Sequence, residues 1–183
     1  MGRSVWAVAV VVVGAGIAGI ACARELAVAG VEVRVLERAR VVGGRMASRH
    51  LHGRPVDLGA AYFTVSDAEF ARVVEGWQAA GLARPWTDTL AVFDNDTRSV
   101  APGPMRWAAP GGLRSLVAAL ATGLDVTLQH EVRHVGPGPC VDGEPAHAVV
   151  LAMPDPQAAR LLDPVPAELV DRRWNPVMAV AAS

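Results

Sequence analysis

Cysteine is scarce in this chain, with only Cys22 and Cys140 among 183 residues. Two thiols so far apart give no disulfide framework, and a reducing cytoplasm suits them. Cys22 falls in a helical stretch, where a small buried hydrophobe is the expected role. Excess charge of either sign is missing too. Lys and Arg total 17 against 18 acidic residues, a net charge of −1. That balance gives no electrostatic reason for a nucleic-acid partner or an anionic membrane surface. Clustered metal ligands are also lacking. His50 and His52 flank Leu51 and would share one side of a strand, but no third ligand follows at useful spacing. The turn Asp94-Asn95-Asp96-Thr97 lacks the bidentate Glu of a calcium loop, so it reads as a solvated hairpin turn. No side chain stands out as a general base.

What remains is a globular composition, 52% apolar and 19% charged, long enough for one domain or one and part of another. The strongest local signal lies at the start. Val10-Val11-Val12-Val13 is a continuous β-branched run, as in a strand covered on both faces. Gly14, Gly16 and Gly19 follow at the GxGxxG spacing, after the strand and at the opening of a helix expected over Ile17 to Ala29. The first glycine permits a tight turn, the second lets backbone approach a pyrophosphate, and the third lets helix pack on strand. Within this loop Ala15, Ile17 and Ala18 supply the neighbouring main chain, and the helix N-terminus offers unpaired N–H groups to an anion. Ile17, Ile20, Ala21, Leu26 and Val28 are the expected apolar positions, and Gly30 falls where a left-handed cap would end the helix.

A second strand, Val31 to Leu36, ends in Glu37. That acid lies near the offset at which a carboxylate meets an adenosine 2′-hydroxyl and disfavours a 2′-phosphate. The uncharged run from Val5 to Ala23 after Arg3 also resembles a signal peptide or short membrane span. The glycine spacing and the acid-tipped strand answer neither need and favour the dinucleotide site. Next comes Arg38-Ala39-Arg40-Val41-Val42-Gly43-Gly44-Arg45-Met46. It is either a surface turn with solvated arginines or a second approach to phosphate, and its place after the ribose acid favours the latter.

The string from Glu37 to Arg49, following VVVGAGIAG, resembles the second element of amine-oxidase-type flavoproteins, where an ER dipeptide leads to GGR. Asp57-Leu58-Gly59-Ala60-Ala61-Tyr62-Phe63-Thr64 and Ala148 to Ala159 are similar to segments of the renalase-like bacterial branch of NAD(P)/FAD-dependent oxidoreductases. The resemblance implies an α/β Rossmann-like FAD/NAD(P)-binding domain, discontinuous over 1–63 and 110–162. It also implies part of a substrate-side β-sheet domain over 64–109 and 163–183. FAD is the implied cofactor and a small-molecule hydride donor, a reduced pyridine nucleotide or an amine, the implied partner. Gly14 to Gly19, Glu37, Arg38, Gly43 to Met46 and Ala60 are the implied cofactor contacts. Val132, on an expected strand Val132 to Val135, is the implied main-chain contact to adenine. Family members continue beyond the point where this chain stops, so a missing C-terminal segment or a partner is expected to complete the ring end of the site. A noncatalytic nucleotide-binding remnant and an NAD-linked dehydrogenase are the competing readings.

The rest of the chain supplies scaffolding. Ser66 and Glu69 form an expected capping box for a helix with Phe70, Val73, Val74 and Trp77 inside, ending at Gly81. Leu90 to Phe93 and Arg98 to Val100 read as two short strands. Leu113 to Ala121 reads as a helix stopped by Gly123. Val126 to Leu128 and His147 to Ala152 read as strands, Gln157 to Leu162 and Ala167 to Arg173 as short helices, and Pro176 to Ala182 as a last strand.

Overall fold

The computed structural model describes residues 9–94 and 97–170. The expected turn residues Asn95 and Asp96, the end of the helix expected to Arg173 and the strand expected over Pro176 to Ala182 lie outside these. In chain order the elements open with β1 (Val10–Val13), α1 (Ile17–Val28), β2 (Val33–Leu36), β3 (Ser48–Leu51), β4 (Arg54–Asp57) and β5 (Phe63–Thr64). Next come α2 (Ala68–Ala79), β6 (Arg84–Asp94), β7 (Thr97–Ala108) and α3 (Arg114–Ala121). The chain continues with β8 (Asp125–Thr127), β9 (Val135–Gly136), β10 (Cys140–Val141), β11 (Glu144–Pro145), β12 (Ala148–Leu151), α4 (Asp155–Ala158) and α5 (Ala167–Val170). The described residues divide into two compact units, one up to Gly44 and from Val117 onward, the other Arg45–Leu116.

The first unit is built on a four-stranded sheet in the order β12-β1-β2-β8. All its pairings are parallel, with Val12 between Val35 and Val150. Parallel strands need crossovers that cover the sheet faces, which is why β1 is a run of four valines, all buried. Beneath it Val11, Val13 and Leu36 join Val132, Val135 and Val141 in one buried cluster. The small antiparallel sheet β9-β10-β11 brings the last two of these into place. From Val10 to Ala23 the uncharged run is therefore a strand, a glycine turn and the start of a helix. Among the described residues no helix is long and apolar enough to cross a membrane.

Helix α1 buries Gly19, Ile20 and Ala23. Val28, expected inside, is 78% exposed. Length explains the difference: twelve helical residues run about 18 Å. The four-residue strand it covers runs about 13 Å, so the last turn overhangs the sheet. The second strand starts at Val33 rather than Val31, since Gly30 with φ 78° and the two residues after it complete the turn.

In the second unit β3 and β4 form a hairpin closed by His52 and Gly53, both at positive φ. Strands β5, β7 and β6 make an antiparallel sheet. Helix α2 contributes Phe70 and Trp77 to an aromatic cluster with Phe63 and Trp107. Its N-cap is Asp67, not Ser66: the Asp67 carboxylate accepts from the N–H groups of Glu69 at 2.9 Å and Phe70 at 2.8 Å. A charged cap satisfies two orphan donors and complements the helix dipole, which shifts the start by one residue. Val73 is 43% exposed because the buried stripe is the narrow one through Phe70, Val74 and Trp77. The hairpin β6–β7 extends far beyond the two short strands expected, from Arg84 to Ala108 around the undescribed turn. Most of its residues are exposed on both faces, so the alternation that marks a half-buried strand is weak there.

Candidate functional site

The glycine loop leaves β1 at Gly14, whose φ of 108° is open to glycine. A side chain there would also press on the Ala152 carbonyl at 3.0 Å. Gly19 is fixed by packing: a Cβ would stand 2.0 Å from the Gly14 carbonyl oxygen. Gly16 differs from both. It is the N-cap of α1 with ordinary extended backbone, and a Cβ there would meet nothing nearer than the Gly44 Cα at 3.9 Å. The fold itself leaves room for a side chain at Gly16.

The helix that begins beyond it carries no side-chain cap and no acid in its first turn. The N–H groups of Ile17, Ala18 and Gly19 therefore face forward with the positive end of the helix dipole, a receptive place for an anion. Ala15 is buried and Ala18 exposed. The second glycine pair closes on the first. The Gly43 N–H donates to the Ala15 carbonyl at 2.9 Å, Gly16 and Gly43 form a parallel bridge, and a Cβ on Gly44 would come 3.1 Å from the Gly16 Cα. Gly43 and Gly44 thus allow one backbone loop to lie directly on another.

Glu37, only 9% exposed, sits at the tip of β2. Its Oε2 accepts from the Ala15 N–H and its Oε1 from the Ala39 N–H, both at 2.7 Å. Its main chain is tied as well, through Glu37 N–H to the Thr127 carbonyl and His130 N–H to the Glu37 carbonyl, both 2.9 Å. The acid therefore joins the glycine loop to the ends of β2 and β8. Arg38 is exposed beside it.

Val132 lies in a segment without strand structure, because the strand expected there is confined to Val135–Gly136. Its side chain is buried in the core cluster under β1. That anchoring, together with the tight turn back to β10, replaces strand pairing. Arg45 and Met46 complete a short 3-10 turn begun by Gly44, and in the second unit the Arg45 carbonyl accepts from the Ala60 N–H at 2.9 Å. The nearby Gly59, not singled out by motif reasoning, has no alternative residue: a Cβ would sit 2.0 Å from the Arg45 carbonyl oxygen.

Asp57, which opens the segment similar to the renalase-like branch, is a satisfied carboxylate. Its Oδ1 accepts from Ser48 Oγ at 2.7 Å and from the Leu113 N–H at 2.8 Å, while Ser48 Oγ accepts from the Arg114 N–H at 3.0 Å. The pair therefore caps α3 from a distant hairpin, a role carried by long-range geometry and invisible in local sequence. His50 and His52 are exposed on the β3–β4 hairpin, and no group of three metal-ligating side chains occurs among the described residues.

Residues 12–77 match the NAD(P)-binding Rossmann-like domain family. Over 94 residues the chain is 36% identical to polyamine oxidase 4 of Oryza sativa subsp. japonica, covering 50% of this chain and 19% of that protein. Over residues 12–77 this chain is thus similar to Rossmann-like dinucleotide-binding domains, and over half of its length to an amine oxidase. The chain is also 46% identical over 71 residues to a protein of Mycobacterium tuberculosis named as a flavin-containing monoamine oxidase, covering 38% of this chain and 16% of that one. Among solved structures a putrescine oxidase matches with a TM-score of 0.67 at 16% identity, over 89% of this chain and 62% of that one. A protein described as a protoporphyrinogen oxidase from Exiguobacterium sp. 255-15 matches with a TM-score of 0.64 at 16% identity, over 93% of this chain and 64% of that one. These two show a shared fold. The chain therefore spans about a fifth of the length of the curated relatives it matches and under two thirds of the solved ones.

Proposed function

We propose that this amine-oxidase-type domain binds FAD and serves an FAD-dependent oxidoreductase, with a reduced pyridine nucleotide or an amine as hydride donor. The observation that carries the reading is Gly16. Space for its Cβ is left open by the protein's own atoms, beside a helix N-terminus with no cap of its own. A glycine that the fold does not demand is accounted for by a ligand backbone-close at that point, and the pyrophosphate of a dinucleotide is the anion such a site takes.

The residues of the first unit fit the adenosine–pyrophosphate half of FAD. Ile17, Ala18 and Gly19 offer N–H groups to the pyrophosphate, and Arg38 adds exposed positive charge. Glu37 uses one lone pair on each oxygen for Ala15 and Ala39 and keeps the others for ribose hydroxyls. Val132 is anchored by its side chain, so its main chain is held in place to meet the adenine. Arg45, Met46 and Ala60, in the second unit, are assigned on motif alone. When bound, FAD supplies the acceptor for a hydride and passes the electrons on, while the protein binds and orients it. The renalase-like substrate range is a finer reading, supported by the Asp57 to Thr64 and Ala148 to Ala159 resemblances. A nicotinamide dinucleotide is the second reading, favoured by the NAD(P)-binding description of the matched family.

Purification separates these readings. FAD gives a yellow protein whose flavin spectrum is released on denaturation, whereas bound nicotinamide or an empty site gives no such spectrum. Reconstitution with FAD is then titrated against Glu37→Ala, which is expected to lose roughly 1.5–3 kcal/mol of affinity. A colourless protein that takes up no added FAD would overturn the proposal.

A further inference from the structure

The loop from Leu128 to His134 is pinned at both ends and open in the middle. At one end the Gln129 N–H donates to the Ala39 carbonyl and the His130 N–H to the Glu37 carbonyl, each at 2.9 Å. At the other end a single carboxylate does the work. Asp142 Oδ1 accepts from the Arg133 N–H at 2.9 Å and the His134 N–H at 2.8 Å, and the Asp142 N–H donates back to the His134 carbonyl at 2.9 Å. Asp142 adopts φ 49° to do so, a conformation that Asp and Asn tolerate and most other residues do not. Between these pins, none of the hydrogen bonds among the described residues uses the N–H or C=O of Glu131 or Val132. Val132 as a whole is only 7% exposed and its side chain packs in the core cluster, which fixes where its unpaired N–H and C=O lie. Gln129, His130, Glu131, Arg133, His134 and Asp142 line a shallow, open depression along this segment.

We infer that Asp142 is a positioning residue for adenine recognition: by clamping Arg133 and His134 it holds the unpaired main-chain edge at Val132 in place to read an adenine ring. The inference rests on the FAD reading above. One residue's N–H and C=O match the N1 acceptor and N6 amino donor of adenine. Hypoxanthine reverses both groups, and a site built on these bonds rejects it.

The test uses the full chain and two nucleotides, ADP and IDP, with inorganic pyrophosphate as a control, all by calorimetry. The wild type is expected to prefer ADP by about tenfold or more, the worth of one or two hydrogen bonds. Asp142→Ala should lose most of that preference while pyrophosphate binding stays within about twofold. Asp142→Asn, which keeps an acceptor oxygen and tolerates positive φ, should restore it. Retention of the ADP preference in Asp142→Ala overturns the inference. So does a parallel loss of pyrophosphate binding, which would make the carboxylate a support of the fold alone. A wild type that binds FAD yet treats ADP and IDP alike overturns this inference and leaves the FAD reading standing. A wild type that binds no FAD removes the reading itself, and the inference with it.

Discussion

Glycines at three positions of one motif are required for three different reasons, and only one of them points outside the protein. Gly14 is demanded by its backbone angle, Gly19 by contact with the Gly14 carbonyl, and Gly16 by neither. Substitution separates these causes. Gly19→Ala should destabilise the domain by about 1–3 kcal/mol or prevent folding, since backbone on both sides must shift. Gly16→Ala should cost at most about 1 kcal/mol, the penalty of a poorer N-cap, while dinucleotide affinity drops. Denaturant unfolding of the two variants beside a nucleotide titration checks both. Equal stability losses, or full affinity in Gly16→Ala, would refute the assignment. The spacing was legible in the sequence, but the distinction among the glycines was not, because it depends on which atoms lie across each missing side chain.

Elements were easiest to read where burial is one-sided or complete. The valine run of β1, the helix closed by Gly30 and the strand ending in Glu37 all follow from periodicity and terminal residues. Boundaries depended on rivals of nearly equal merit. Ser66 and Asp67 are both good caps, and the one whose oxygen reaches two amide groups sets the start of α2. Asp67→Ala should therefore destabilise by about 1 kcal/mol. Ser66→Ala should change stability by less than about 0.5 kcal/mol, as an exposed surface change away from any cap does. Thermal or urea denaturation distinguishes them, and a larger effect at Ser66 would restore the capping box. The hairpin β6–β7 shows the opposite failure: pairing with its neighbour, rather than an alternating pattern, defines its length. The strand expected at Val132 failed because apolar residues there serve the core one side chain at a time.

At the scale of the whole molecule, the first unit is a parallel sheet whose carboxyl ends carry the glycine loop and Glu37, the place where open α/β sheets bind ligands. A ligand that binds only the folded form stabilises it by mass action. FAD at about one hundred times its dissociation constant should thus add about 2.7 kcal/mol to unfolding. Free flavin mononucleotide, which lacks the adenosine, should add much less. A thermal scan at several FAD concentrations measures this, and a midpoint indifferent to FAD would count against the site.

Sequence alone settled the strand, glycine turn, helix and acid-tipped strand of the first unit, because local periodicity and backbone freedom are properties of neighbouring residues. It also brought the amine-oxidase resemblance into view. The tertiary structure decided that Glu37 is tied to the glycine loop, that Ser48 and Asp57 cap a helix some 60 residues away, and that Asp142 clamps the segment after Val132. Those three roles belong to side chains whose partners are distant in sequence. A hydrogen bond is fixed by where two groups meet in space, and only the folded chain brings them together.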